Sequence, residues 1–236
     1  MARSVDPEAY AAKRAEILQA AMALIFAKGY ERMTIRDIHR GLGISKGAFY
    51  HYFDSKAALL DAFIDQLGAT TEGALLPLLR DPERSAIDKL QGFFSTFDRL
   101  RADNQGGVVA LGRVWYGDAN ALVRQKVDDA VRAHRAPLLT EIVHQGVREG
   151  VFSTPYPDQS GGLLLSLIQG MAGEHARLLW LRTPDLAPKA CAARVAETHA
   201  ACMDAIERLL GAPGGSLYRV DAQAVMPWVL ASRADP

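Results

Sequence analysis

Apolar positions recur at three- and four-residue spacing along nearly the whole chain, and no stretch alternates as a half-buried strand would. The pattern predicts helices over 7–28, near 55–80, 82–102, 105–117, 119–149, 158–182 and 187–210, with two short helices between 34 and 53. Pro7 suits a first helical turn, and Ile17, Ala21, Leu24 and Ile25 form an inner stripe that Gly29 ends. Pro137 falls inside one long helix and predicts a kink or break near Ala136. Beyond Gly211, Ala-Pro-Gly-Gly-Ser reads as a linker before an apolar tail holding Val225, Met226, Trp228 and Leu230. This divides the chain into a head (1–60), a helical body (61–211) and a tail (212–236).

Composition changes this picture little. The 236 residues are 49% apolar, enough for a sizeable core. The first residues lack the apolar run of a signal peptide. The longest apolar stretch, Leu163 to Ala172, is cut by Ser166, Gln169 and Gly170 and falls short of the ~20 residues a membrane span needs. Cys191 and Cys202 are too few for a disulfide scaffold. A cytoplasmic protein with no membrane partner is expected. Charge is more informative when divided along the chain. The net charge is zero, yet residues 1–60 carry nine basic groups against six acids, so a head of +3 sits on a remainder of −3. That distribution suits a nucleic-acid-binding module joined to another domain.

The segment TIRDIHRGLGISKGAFYHYF, Thr34 to Phe53, carries the chemistry. Thr34 and Asp37 have capping-box spacing, Ile35 and Ile38 face inward, and Leu42 closes the first short helix. Gly43 can turn the chain through the left-handed region, and Ile44 plugs the angle between the helices. Ser45 caps a second helix whose first turn holds Lys46, Gly47 and Ala48. Phe49 and Phe53, four apart, anchor that helix and leave Tyr50 and His51 outward. This is a helix-turn-helix, in which the start of the second helix meets base edges.

The segment resembles the DNA-binding signature of the tetracycline-repressor (TetR) family, in register from Ile17 to Leu60 and including Asp54-Ser55-Lys56 and Leu59. His39 departs from the small residue usual in the family, and Leu42 is bulkier than usual; either would shift the packing of the second helix. The resemblance implies an all-α protein: a three-helix head and a helical ligand-binding and dimerisation domain. By position, it implies Lys46 and Ala48 as base contacts, to a guanine edge and a thymine methyl. It implies phosphate contacts from Thr34, Ser45, Tyr50, His51 and Lys56, close backbone approach at Gly47, and either role for Arg36.

A dimer that reads a palindrome is also implied, through the helices at about 158–182 and 187–210. Gly162, Ser166 and Gly170 form a small-residue row there, and Ala193, Ala196, Ala200, Met203 and Ile206 supply a matching face. A small-molecule cavity is implied as well, for which Phe93, Phe94, Phe97, Arg113, Trp115, Tyr116, His144, Met171 and His175 are candidate lining; the same aromatics also suit plain core. Cys191, His199 and Cys202 share one helix but lack the paired spacing of a zinc site or a base for a catalytic thiol, and no cofactor is expected.

Together these point to a ligand-released repressor. An activator or ligand-dependent co-repressor fits the same sequence. A helical ligand-binding protein or enzyme with a vestigial DNA head is the alternative from another class, against which the intact Ser45, Lys46, Tyr50 and Lys56 argue.

Overall fold

The computed structural model describes residues 6–103, 105–181 and 186–234, and every α or 3-10 element among them is helical. The head begins with α1 (Pro7–Lys28), α2 (Ile35–Gly41) and α3 (Lys46–Tyr52). The body follows as α4 (Lys56–Leu79), α5 (Ala86–Ala102), α6 (Gln105–Trp115), a 3-10 turn (Asp118–Asn120), α7 (Ala121–Glu149), α8 (Pro157–Leu179) and α9 (Pro188–Leu210). A last helix, α10 (Ala222–Arg233), occupies the apolar tail.

Local chemistry explains most boundaries. Asp6 caps α1 by accepting from the Glu8 N–H, and Pro7 occupies its first turn. Ser55, Ser85 and Asp221 cap α4, α5 and α10 in the same manner, each carboxylate or hydroxyl accepting a backbone N–H. The Ser85 cap explains why α5 starts at Ala86, four residues later than the spacing predicts. Gly29 ends α1 at φ 85°, and a side chain there would also strike Ala119 in the turn before α7.

The head core packs Ile17, Leu18, Ala21, Ile25, Ile38, Phe49, Phe53, Leu59 and Leu60. It does not stop at residue 60, because Ala62 of α4 and Val123 and Val127 of α7 are buried in the same cluster. Head and body are further tied by the Tyr30 N–H, which donates to Asn120 Oδ1 at 3.3 Å, while the Asn120 amide donates to the Val114 carbonyl at 3.1 Å. The body core gathers Leu75, Phe93, Phe94, Leu139, Ile142, Val143, Leu164, Leu165 and Met203 from five helices.

Three expectations are corrected here. Pro137 does not break its helix: α7 runs unbroken from Ala121 to Glu149. A mid-helix proline costs ~3 kcal/mol or more, but Leu139, Ile142 and Val143 are buried in the body core and keep the second half of the helix packed. Gly161 of α8 seats directly on Ala136 and Thr140, on either side of the proline. The segment after Gly211 is not a free linker either. Glu207, only 2% exposed, accepts from the Gly215 and Leu217 N–H groups at 3.0 and 2.8 Å and pairs with Arg219 at 2.7 Å. That anchor lets Val225 and Val229 of α10 close a third small core on Cys191, Ala192 and Val195 of α9. Finally, Met203 and Ile206 are fully buried inside the chain's own body and present no outward face.

Candidate nucleic-acid interface

α2 and α3 are too short to be stable alone, at seven residues each, so caps and core contacts must hold them. Thr34 Oγ1 accepts from the Asp37 N–H at 3.2 Å, and the Asp37 carboxylate accepts from the Thr34 N–H at 2.8 Å, completing the predicted capping box. Lys28, at the end of α1, approaches the same carboxylate at 2.5 Å. These donors draw the Asp37 pKa far below the usual carboxylate range, the Lys28 contact contributing most. α3 is capped by Ser45, which accepts from the Ala48 N–H at 3.0 Å. Gly43, at φ 64°, makes the turn between the helices.

Phe49 is fully buried and Phe53 nearly so, which fixes the rotation of α3. Its opposite side is then solvent-facing: Ser45, Lys46, Gly47, Tyr50 and His51 are exposed, and Ala48 is half-buried. Thr34 and Arg36 are exposed at the start of α2, beside this surface in the motif. Tyr10 of α1 fastens the far end of α3: its hydroxyl donates to the His51 carbonyl at 3.3 Å and its ring packs on Tyr52 at 4.8 Å. Sequence reasoning missed Tyr10, because nothing local links a first-helix tyrosine to residue 51.

Lys56 is less free than the sequence suggests. Its ammonium lies 4.2 Å from the centre of the Tyr30 ring and donates to the Glu31 carbonyl at 3.3 Å. The positive charge stays at the edge of the head, held in place rather than swinging freely. His39 and Leu42 are half-buried, and the short helices form around them with the capping box intact.

The residues considered for a ligand cavity scatter. Phe93 is core, and Phe97 packs edge-on to it at 5.1 Å with Met171 against the same cluster. Trp115 instead packs towards the head beside Phe26, ring centres 6.3 Å apart. His144 is partly exposed and meets Asp158 at 2.8 Å. The Arg113 side chain lies outside the described residues. Tyr116 stacks on Trp180 at 5.7 Å, and a side chain at Gly112 would collide with that indole. His175 lies beside His199, ring centres 6.4 Å apart, and burial pushes its pKa down to about 4. His175 Nε2 and Trp180 Nε1 are buried without a hydrogen-bond partner. The two thiols donate to helix carbonyls, Cys191 to Leu178 and Cys202 to Leu167, and burial raises the Cys202 pKa to about 11. Among the described residues no three His, Cys, Asp or Glu side chains form a metal-holding group, and no helix is long and apolar enough to cross a membrane.

A capped helix-turn-helix at the N-terminal end of a helical body is the design of a DNA-binding transcriptional regulator. Comparison with known proteins specifies the family. Residues 17–63 match the model of bacterial regulatory proteins of the tetR family. The transcriptional repressor KstR2 of Mycobacterium tuberculosis is 28% identical over 178 residues, covering 72% of this chain and 82% of the repressor. The regulator EthR of Mycolicibacterium smegmatis is 32% identical over 103 residues, covering 42% of this chain and 48% of its own. A TetR-family regulator of Pectobacterium atrosepticum shares the fold, with a TM-score of 0.56 at 21% identity over 88% of this chain and 99% of the other. Residues 17–63 thus carry the signature of tetR-family regulatory proteins, and the chain is similar over most of its length to a transcriptional repressor.

Proposed function

We propose that the protein is a cytoplasmic repressor that binds a palindromic operator as a dimer and leaves it when a small molecule occupies the body. The carrying observation is the first turn of α3, where Lys46 and Gly47 stand exposed and Ala48 half-exposed over a rotation locked by buried Phe49. In this reading Lys46 and Ala48 meet base edges in the major groove, and Thr34, Ser45, Tyr50, His51 and Lys56 position the phosphates. Arg36 adds a cation beside them. The repressor relatives support the sign of regulation.

Dimerisation would use the outer faces of α8 and α9. Ser166 and Gly170 are exposed, Leu163 is 47% exposed, and Ala193, Ala196 and Ala200 remain partly uncovered. Two recognition helices ~34–36 Å apart would then enter successive major grooves. A ligand that favours another spacing shifts the population away from the operator-bound form. Body and head are coupled through Asn120, Val114 and the Phe26–Trp115 contact, so movement of α6 would reach α1.

Footprinting on the DNA flanking the gene, with excess non-specific competitor at two salt concentrations, tests the reading. A symmetric protected site that survives competition supports an operator-binding dimer. Protection spread over all sequences, or confined to low salt, would refute it.

A further inference from the structure

α3 ends without a left-handed residue to fold the chain back over its last turn: its C-cap, Phe53, is extended at φ −143° and ψ 120°. The Phe53 N–H still reaches the Phe49 carbonyl at 3.1 Å. The His51 carbonyl lies too close to the end of the helix to find a donor within it. Among the described residues its one donor is the Tyr10 hydroxyl at 3.3 Å, supplied by α1 from 41 residues away in the chain.

Tyr10 makes more than that one contact. Its ring centre lies 4.8 Å from that of Tyr52, and it meets the His51 ring edge-on at 5.5 Å. One turn further along α1, the Arg14 guanidinium sits 4.7 Å from the centre of the Phe53 ring, bringing a positive charge to the negative end of the α3 dipole. Two α1 residues four apart, on one face of that helix, thus close on the last turn of α3. Both precede residue 17, where the match to the family model begins. Buried Phe49 and Phe53 fix the rotation of α3, and Ser45 caps its first turn; Tyr10 pins the opposite end and so sets the tilt. The far end of α1 is held to the body through Tyr30, Asn120 and the Phe26–Trp115 contact. As one helix of 22 residues, α1 carries the position of that junction to α3.

We infer that Tyr10 is a positioning residue for operator reading: through the His51 carbonyl it sets the tilt of α3, and with it the discrimination between operator and other DNA. The inference rests on the DNA-reading role of α3 proposed above, but the hold of Tyr10 on α3 does not depend on DNA.

The test uses the full chain with the operator duplex found by footprinting and a random duplex of equal length. Tyr10→Phe keeps the ring and deletes the hydroxyl. It is expected to weaken operator binding about 2- to 10-fold, the worth of one net hydrogen bond, and binding to random DNA by less than about 2-fold. Tyr10→Ala removes the ring contacts as well and should lose more on the operator. Tyr10→Phe is expected to melt with the wild type, since Tyr10 is half-buried and stands outside the head core. Amide hydrogen exchange on the DNA-free protein reads the hold itself: the Tyr52 and Phe53 amides should exchange at least about 3-fold faster in Tyr10→Phe, while those of α2 keep their rates. Equal losses on operator and random DNA would show that Tyr10 meets the DNA backbone directly and would overturn the inference. Wild-type discrimination in both variants would overturn it too. A wild-type protein that prefers no duplex would instead refute the DNA reading; faster exchange would then sustain the hold of Tyr10 on α3, and unchanged exchange would overturn that as well.

Discussion

Lys28 Nζ stands 2.5 Å from Asp37 Oδ2, joining the last turn of α1 to the first turn of α2. The same oxygen accepts from Thr34, whose hydroxyl in turn caps α2. Three helix-end groups are thereby fixed to one carboxylate at the base of the helix-turn-helix. Since α2 and α3 pack at a set angle through Ile38 and Phe49, the pair positions Lys46 from a distance.

Lys46→Ala is expected to relax sequence preference at one operator position by ~1–3 kcal/mol, the worth of a good bidentate base contact. Competition binding with single-base operator variants measures it. Unchanged discrimination at every position would remove Lys46 from base readout.

Lys56→Ala is expected to weaken binding to all duplexes alike and to lower the salt slope by about one phosphate's worth. The ammonium is already positioned by Tyr30 and Glu31, so it meets the backbone with little further ordering. Binding measured across a salt series on operator and random DNA checks this, and a selective loss on operator alone would contradict it.

Arg219→Ala leaves the buried Glu207 carboxylate without its cation and is expected to cost ~3–5 kcal/mol of stability. The pairing holds the Glu207 pKa down to about 2, below its ordinary 4.5. A depressed carboxylate stabilises the fold above its unfolded pKa, and that contribution fades as pH falls from about 4.5 through 2. Denaturant melts across this window should show the wild type losing more stability than the Arg219→Ala protein. Parallel curves would show that the pair contributes nothing.

Gly161→Ala would drive a methyl group into the Ala136 carbonyl and the Thr140 backbone, atoms that cannot step aside cheaply. A loss of ~1–3 kcal/mol is expected from this overpacking. Thermal melts compare it with Gly173→Ala, also on α8, where a side chain meets nothing within 4 Å and no loss is expected. Equal melting of the two variants would show that α8 does not seat on α7 here.

Most helix boundaries were legible because their causes are local. Asp6, Ser45 and Ser55 cap from within three residues of the groups they satisfy, and Gly29 and Gly43 stop or turn the chain through their own backbone. The helix-turn-helix was legible for the same reason: its caps, turn and aromatic anchors lie within twenty consecutive residues. The Glu207 anchor was not, because its partners, the Gly215 and Leu217 N–H groups and Arg219, lie beyond the end of its own helix.

The sequence by itself determined the helical class, the site of the reading head and the residues that this head presents, because periodicity and capping act over one or two turns. Only the tertiary structure decided that α7 continues through Pro137, that Glu207 draws the tail back onto α9, and that Trp115 faces the head while Phe97 faces the body. Each of those outcomes sums contacts between residues far apart in the chain. Such sums can outweigh a local preference of a few kcal/mol, and no window of neighbouring residues contains them.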